Sequence, residues 1–215
     1  MLLILALLGA ALTGPAQTPP KPAPAYRLEA IAAAAALPDA RQPWTTADTL
    51  LRLPWPPTQL VAKRRGVLTL PVRGGSKVFR DYHVGTDFDD QVSYRHRGYL
   101  PAVRLHLIEV HFYESSEWWL VSYDTGALTR LWNLPQFSPD GRRVAAYSRG
   151  LEYGAVPNGV QVFRVEPGRL SRLVELRPEQ WEPARLVWRD NRSLDVQALA
   201  TDLTTKVYKR LTLLR

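Results

Sequence analysis

The chain has 215 residues, of which 46% are hydrophobic and 22% charged, and its formal net charge is +8 at pH 7. This balance predicts one well-packed domain and excludes an intrinsically disordered chain, in which low hydrophobicity accompanies high charge. Because the chain has no cysteine, disulfides, thiol catalysis, cysteine-ligated zinc and a lipidated N-terminal cysteine are also excluded.

The N-terminal residues predict an export signal. Leu2 to Leu12 are apolar or small without interruption. This run is too short to span a bilayer as a helix of ~20 residues, but it fits the apolar core of a signal peptide. We therefore interpret residues 1–16 as a signal peptide, with an uncleaved N-terminal anchor as the alternative. We expect export to the periplasm or the extracellular space, with no transmembrane segment in the mature chain.

A proline-rich linker over residues 17–25 is predicted next, followed by a helical or irregular segment over residues 26–65. Arg27 to Leu37 contains five consecutive alanines, which favour a helix, and Pro38 ends it. A second short helix is predicted to begin at Thr45 or Thr46 and to end at Leu53, with the threonine as its N-cap.

Residues 66–215 are predicted to form an antiparallel β domain. Apolar residues alternate with polar ones in short runs separated by turn residues, which predicts about ten to twelve strands in a meander. The predicted turns are Gly74-Gly75, Asp124-Thr125-Gly126, Ser138-Pro139-Asp140-Gly141, Pro167-Gly168 and Asp190-Asn191. In these turns Pro presets the backbone, Asp caps it and Gly supplies the positive φ, so we assign Asp124, Gly126, Pro139, Asp140 and Gly141 structural roles.

The segment from Pro135 to Ala145 reads PQFSPDGRRVA. It resembles the P-x-F-S-P-D-G-x-x-hydrophobic-A repeat of TolB-like and WD40-like β-propellers. The resemblance implies that Phe137 packs between two blades and that the SPDG turn joins the first two strands of a blade. Neighbouring segments resemble the outer strands of the preceding blade (119–132), the outer hairpin of the next blade (159–176) and a degenerate second copy of the repeat (183–196).

The number of repeats limits the closure of such a propeller. Propellers have at least four blades, each of ~40–45 residues in the WD40 type, and this chain has one clean repeat. We therefore predict an all-β fold that is propeller-like and open or incomplete rather than a closed ring, with one or two short helices before it.

The sequence Asp124-Thr125-Gly126-Ala127 also matches the signature of retroviral-type aspartic proteases, in which two carboxylates share a proton. That family needs a later pair of bulky apolar residues followed by glycine, and no convincing copy occurs downstream. We interpret Asp124 as a turn residue and predict no catalytic residue.

No cofactor is predicted. The histidines are His83, His96, His106 and His111, and no pair has a strand or helix spacing suited to one metal. Asp87, Asp89 and Asp90 form an oxygen-rich loop that is a weak alternative for a Ca²⁺ site. Their spacing lacks the alternation and the distal glutamate of a calcium loop, so a solvated hairpin tip is the preferred interpretation.

Trp118 and Trp119 are adjacent and should point to opposite faces of a strand. One of them is expected in the core, and an exposed tryptophan near arginine suits a glycan or a partner protein. With Arg142 and Arg143 they are the candidate binding residues. Core packing of both tryptophans across two layers is the alternative.

These features favour an exported, non-enzymatic β domain that binds a partner protein or a component of the cell envelope. Two alternatives stay open: an exported hydrolase acting on glycan or peptide, and a basic protein that binds polyanions through its charge of +8. Specific recognition of nucleic acid is not predicted, because the basic residues are scattered and form no run longer than Lys63-Arg64-Arg65.

Overall fold

The computed structural model describes residues 25–35, 61–85, 89–152, 154 and 156–214. The predicted signal peptide, nearly all of the predicted linker and the predicted helix that ends at Leu53 lie outside the described residues. Within these described ranges, no helix is long and apolar enough to cross a membrane.

Fifteen β-strands and one 3₁₀ helix, Ala33–Ala35, occur in the described residues, so the prediction of an all-β protein is confirmed. Strands β1 to β15 are Tyr26–Ala30, Ala62–Arg64, Val67–Val72, Gly75–Arg80, Ser93–Leu100, Leu105–His111, Ser116–Ser122, Leu128–Leu131, Gln136–Phe137, Arg143–Ser148, Gly159–Glu166, Arg169–Leu176, Trp181–Trp188, Ser193–Ala200 and Lys206–Leu213. Thirteen of these strands, β3 to β15, lie within residues 66–215, where ten to twelve were predicted. The excess includes β9, which has two residues and is too short to show alternation in the sequence.

The strands form four antiparallel sheets that follow one another along the chain. The first sheet is β2-β3-β4, the second β5-β6-β7-β8 and the third β9-β10-β11-β12. The fourth sheet is β13-β14-β15 with β1 added at its edge. Each sheet is therefore a meander of neighbouring hairpins, and only the fourth combines strands from both ends of the described chain.

The predicted helix from Arg27 to Leu37 is wrong over its first half. Tyr26–Ala30 is a strand that pairs with β15, with Tyr26 opposite Leu213 and Leu28 opposite Leu211. Tyr26 and Leu28 pack against the core of the fourth sheet. Alanine favours a helix only weakly, and pairing with β15 satisfies the backbone groups of β1 that face β15 while partly burying two side chains. Strand structure thus begins before residue 66, both in β1 and in β2.

Three hydrophobic clusters lie between consecutive sheets. The first joins Leu70 of the first sheet to Ile108 of the second, and the second joins Leu107 of the second sheet to Phe137 of the third. The third joins Val162 of the third sheet to Trp188 of the fourth. In the described part of the chain no core cluster joins the first sheet to the fourth. The sheets therefore form an open, propeller-like stack.

Strand β6 shows why this sequence folds into stacked sheets. Successive side chains of a strand point to opposite faces, and in β6 Leu107 faces the third sheet while Ile108 faces the first. Because both faces are covered, β6 is apolar at most positions instead of alternating. Phe137, 2% exposed, packs between the second and third sheets, as the resemblance to propeller repeats implies.

The turns lie close to where they were predicted. Gly126 and Gly141 have φ of +71° and +68°, in the left-handed region that favours glycine. One turn is shifted by a residue: Val72 pairs with Gly75, so the loop of the β3–β4 hairpin is Arg73-Gly74 and Gly75 already belongs to β4.

Candidate functional site

Turns of the first three sheets contact one another at one end of the structure, which we call the turn face. Asp124 in the β7–β8 turn forms ion pairs with Arg73 Nη2 at 2.9 Å and with Arg104 Nη2 at 2.7 Å. Arg73 lies in the β3–β4 turn and Arg104 is the last residue of the β5–β6 turn. In the β11–β12 turn, Gly168 N donates a hydrogen bond to the Val103 carbonyl oxygen at 2.8 Å. These contacts connect the hairpin ends of consecutive sheets.

The environment of Asp124 supports its interpretation as a turn residue. Its carboxylate makes ion pairs with two guanidinium groups, whereas the carboxylate of an aspartic protease shares a proton with a second carboxylate. The Gly126 N–H donates to the Ser122 carbonyl oxygen at 2.9 Å and closes the turn.

The Ser138–Gly141 turn is held by its own side chains. Ser138 Oγ donates to Asp140 Oδ1 at 2.6 Å, and the Arg142 N–H donates to the same oxygen at 3.0 Å. Burial acts to raise the pKa of Asp140, but these two hydrogen bonds and the charge of Arg143 outweigh it and lower the pKa. These hydrogen bonds therefore hold the backbone at Arg142 and Arg143, which follow the turn directly.

A second set of contacts extends the turn face to the fourth sheet. The Asp140 N–H donates to Asn191 Oδ1 at 3.1 Å, and Arg143 Nη1 donates to the Asn191 carbonyl oxygen at 2.8 Å. Asn191 lies in the β13–β14 turn, where Asp190 Oδ1 accepts hydrogen bonds from the N–H groups of Arg192 and Ser193 at 2.6 and 2.7 Å. The β13–β14 turn, residues 189–192, is one residue shorter than the β9–β10 turn, residues 138–142, but its aspartate likewise accepts a hydrogen bond from the N–H two residues later.

A groove of about 670 Å³ opens on the turn face between these turns. It is lined by Ala102, Val103, Phe137, Asp140, Gly141, Arg142, Arg143, Arg164, Val165, Glu166, Pro167 and Arg192. Four of these residues are arginines and two are acidic, so the lining carries a net charge of four minus two, or +2. Val103, Phe137 and Val165 supply an apolar floor. The groove therefore combines positive charge with apolar surface.

The structure separates the predicted binding residues into two groups. Arg142 and Arg143 line the turn-face groove. Trp119 is 6% exposed and packs between the first and second sheets, while Trp118 packs between the second and third. The two tryptophans thus point to opposite faces of β7, and neither lines the groove.

Sequence reasoning missed Arg164 and Arg192 as groove residues. Both are exposed and lie at the ends of other hairpins. The local signal they share is an arginine close to a turn, two residues before the end of β11 and directly before β14. This signal becomes meaningful only when the sheet topology is known.

The oxygen-rich loop and the histidines lie elsewhere. Asp90 Oδ1 is 2.7 Å from His83 Nδ1, Asp89 lines a separate cavity and Asp87 lies outside the described residues. Among the residues that are described, no group of three or more histidine and acidic side chains is arranged to hold a metal ion.

His106 is fully buried, which no local pattern in the sequence indicates. Its Nε2 donates to the Pro71 carbonyl oxygen at 2.8 Å, and its Nδ1 lies 3.4 Å from His96 Nε2. Burial lowers the pKa of both histidines to about 4. They form a neutral pair inside the fold, where the second sheet meets the first.

Comparison with protein-family models gives no match, and comparison with curated proteins gives none. Among solved structures, the chain is similar to TolB from Acinetobacter baumannii, with 16% sequence identity and a TM-score of 0.23. The match covers 69% of this chain and 40% of that protein, so this chain spans less than half the length of TolB. A likeness at this level carries no information about the site.

Proposed function

We propose that this chain is an exported, non-enzymatic binding domain that holds an acidic segment of a partner protein in the turn-face groove. One observation carries the proposal: arginines from three different hairpin ends converge on a groove with an apolar floor. Arg142 and Arg143 come from the β9–β10 turn, Arg164 from the end of β11 and Arg192 from the β13–β14 turn. Guanidinium groups favour carboxylates because they donate paired, charge-assisted hydrogen bonds.

The turn contacts prepare the groove for binding. Arg143 is anchored to the fourth sheet through the Asn191 carbonyl oxygen, and its side chain is only 15% exposed. A residue that is already ordered loses little conformational entropy when a ligand arrives, so more of its interaction energy contributes to affinity.

The mixture of groups favours an acidic protein segment over a bare polyanion. Asp140 and Glu166 lie among the four arginines, and these carboxylates repel a ligand whose negative charge is continuous. Ala102, which is exposed, and Val103, which is half-buried, offer contacts for apolar side chains, which a nucleic acid backbone or a sulfated glycan lacks. A peptide that alternates acidic and apolar residues matches both features.

The experiment compares three labelled probes by fluorescence anisotropy with the purified protein: a peptide alternating Glu and Leu, poly-glutamate of equal charge, and heparin. The proposal predicts that the Glu-Leu peptide binds most tightly and that its binding weakens as salt is added, since salt screens exposed charges. If heparin binds more tightly than both peptides, with a steep salt dependence from released counterions, the groove is a polyanion site and the proposal is wrong.

A further inference from the structure

A second concave site lies at the opposite end of the sheets from the turn face. In an antiparallel meander successive connections alternate between the two ends of the strands, so the β6–β7 and β10–β11 loops lie away from the β5–β6 and β9–β10 turns. Two cavities of about 520 and 730 Å³ open there, and both are lined by Tyr113 and Arg149. We call their common space the loop-face cleft.

The cleft has aromatic walls. Phe112 and Tyr113 come from the β6–β7 loop, Trp132 from the β8–β9 connection and Tyr147 from the end of β10. Tyr113 is 49% exposed, so its ring is available to a ligand. The Tyr147 hydroxyl donates to the Ala184 carbonyl oxygen at 3.1 Å, which fixes the orientation of that ring.

The charge of the cleft differs from that of the turn-face groove. Its arginine, Arg149, is paired with Glu182 through Nε and Nη2, both 2.7 Å from Oε1. The Glu182 side chain is 2% exposed, so this pair is fixed and the arginine charge is neutralised within the protein. Asp89 and Glu114 add two exposed carboxylates to the lining. The cleft therefore has no excess of positive charge to attract an anion.

The remaining lining is mostly polar and uncharged. It includes Ser115, Ser116, Asn133 and Ser148, and among the described lining residues the aliphatic ones are Val156 and Ala184. Apolar peptide side chains need aliphatic pockets, which this lining hardly provides. A pyranose ring instead offers an apolar C–H face, which packs on an aromatic ring, and hydroxyl groups, which bond to serine, amide and carboxylate groups.

We propose that the loop-face cleft binds an uncharged oligosaccharide, with Tyr113 as the stacking platform and Asn133 among its hydrogen-bonding partners. The site is a binding site, because the general acid of a glycosidase is a carboxyl group kept protonated by its surroundings, and both Asp89 and Glu114 are exposed. This proposal concerns another end of the molecule and does not depend on the function of the turn-face groove.

The test uses isothermal titration calorimetry of the full protein with two uncharged probes, chitotetraose in its fully N-acetylated form and cellotetraose. We expect saturable binding of at least one probe, equal at low and high ionic strength. Tyr113→Ala should weaken that binding by at least about tenfold, the usual effect of losing a central aromatic contact. Asn133→Ala should weaken it less.

Tyr82→Ala is the matched control. Tyr82 is 51% exposed, similar to Tyr113, and it does not line the cleft, so its removal should leave sugar binding unchanged. Binding of neither sugar overturns the proposal, as does binding that Tyr113→Ala leaves intact. A Tyr113-dependent affinity for an uncharged peptide instead of the sugars would reassign the cleft to peptide recognition.

Discussion

Arg143 Nη1 donates a hydrogen bond to the Asn191 carbonyl oxygen at 2.8 Å and so ties the β9–β10 turn of the third sheet to the β13–β14 turn of the fourth. The reciprocal contact, from the Asp140 N–H to Asn191 Oδ1, is 3.1 Å long. Together they hold Arg192, the neighbour of Asn191, at the groove that Arg142 also lines. The turns therefore fix the sheets relative to one another and build the proposed binding surface.

Gly168 should tolerate no side chain, because the β11–β12 turn passes directly over Asp124. A Cβ atom at Gly168 would lie 2.3 Å from Asp124 Oδ2, and its φ is +71°. Gly168→Ala should lower the free energy of unfolding by about 2–4 kcal/mol, from backbone strain and from the disturbed ion pairs of Asp124. Urea unfolding followed by tryptophan fluorescence measures this loss.

Gly74→Ala provides the control for Gly168→Ala. Gly74 has a φ of +81°, but a Cβ atom there would meet nothing within 4 Å. Gly74→Ala should therefore lower the free energy of unfolding only by the backbone strain, about 1–2 kcal/mol. If both variants lose the same free energy of unfolding, the close contact between Gly168 and Asp124 does not contribute to the effect of Gly168→Ala.

Stability should fall in mild acid because of His96 and His106. Both have a pKa of about 4 in the folded protein and about 6.5 when unfolded, so the unfolded chain binds their protons first. The stabilisation is complete above about pH 6.5 and is lost as the pH falls towards 4. Urea midpoints measured across this range should decrease steadily.

His106→Gln should reduce this pH dependence without abolishing it, since glutamine keeps an N–H donor for the Pro71 carbonyl oxygen and does not titrate, while His96 still does. His83→Gln is the surface control and should retain the acid-induced loss. A wild-type stability that stays constant between pH 6.5 and 4 would contradict the buried, neutral state of the pair.

Phe137 should couple the second and third sheets through its packing. It is 2% exposed and packs with residues of both. Phe137→Ala should lower the free energy of unfolding by about 3–5 kcal/mol, and Phe137→Leu, which leaves a smaller cavity, by roughly 1–1.5 kcal/mol. The denaturant midpoints of the two variants give the comparison, and an alanine variant as stable as the wild type would exclude a packed interface.

The turns could be predicted from the sequence because their chemistry is local. In Ser138–Gly141 the proline, the aspartate and the glycine each meet a requirement of the backbone within a few residues. The aspartate and the glycine of Asp124–Gly126 do the same. Once such turns are fixed, the strands between them follow from their apolar runs, and the packing of Phe137 follows from the resemblance of residues 135–145 to a propeller repeat.

Other features depend on partners far along the chain. Strand β1 forms because β15 offers a free edge, and nothing near Tyr26 in the sequence signals it. The groove requires the topology that brings Arg164 and Arg192 to the same end as Arg142. Likewise, the aromatic walls of the loop-face cleft come from three separate connections, so no single stretch of sequence reveals them.

The most direct test of the turn-face groove is a charge reversal on its rim. Arg142→Glu combined with Arg164→Glu should lower the affinity for the Glu-Leu peptide by at least about tenfold at low salt, because each substitution replaces attraction by repulsion. The matched control combines Arg80→Glu on the first sheet with Arg95→Glu on β5, which gives the same net charge as the groove variant. Both positions are exposed and lie outside the groove. Arg80→Glu alone is the single-charge control. We expect only the groove variant to lose binding, while all variants unfold at wild-type denaturant midpoints. Equal losses in the groove variant and the matched control would show that the peptide responds to overall charge, and would contradict the groove as its binding site.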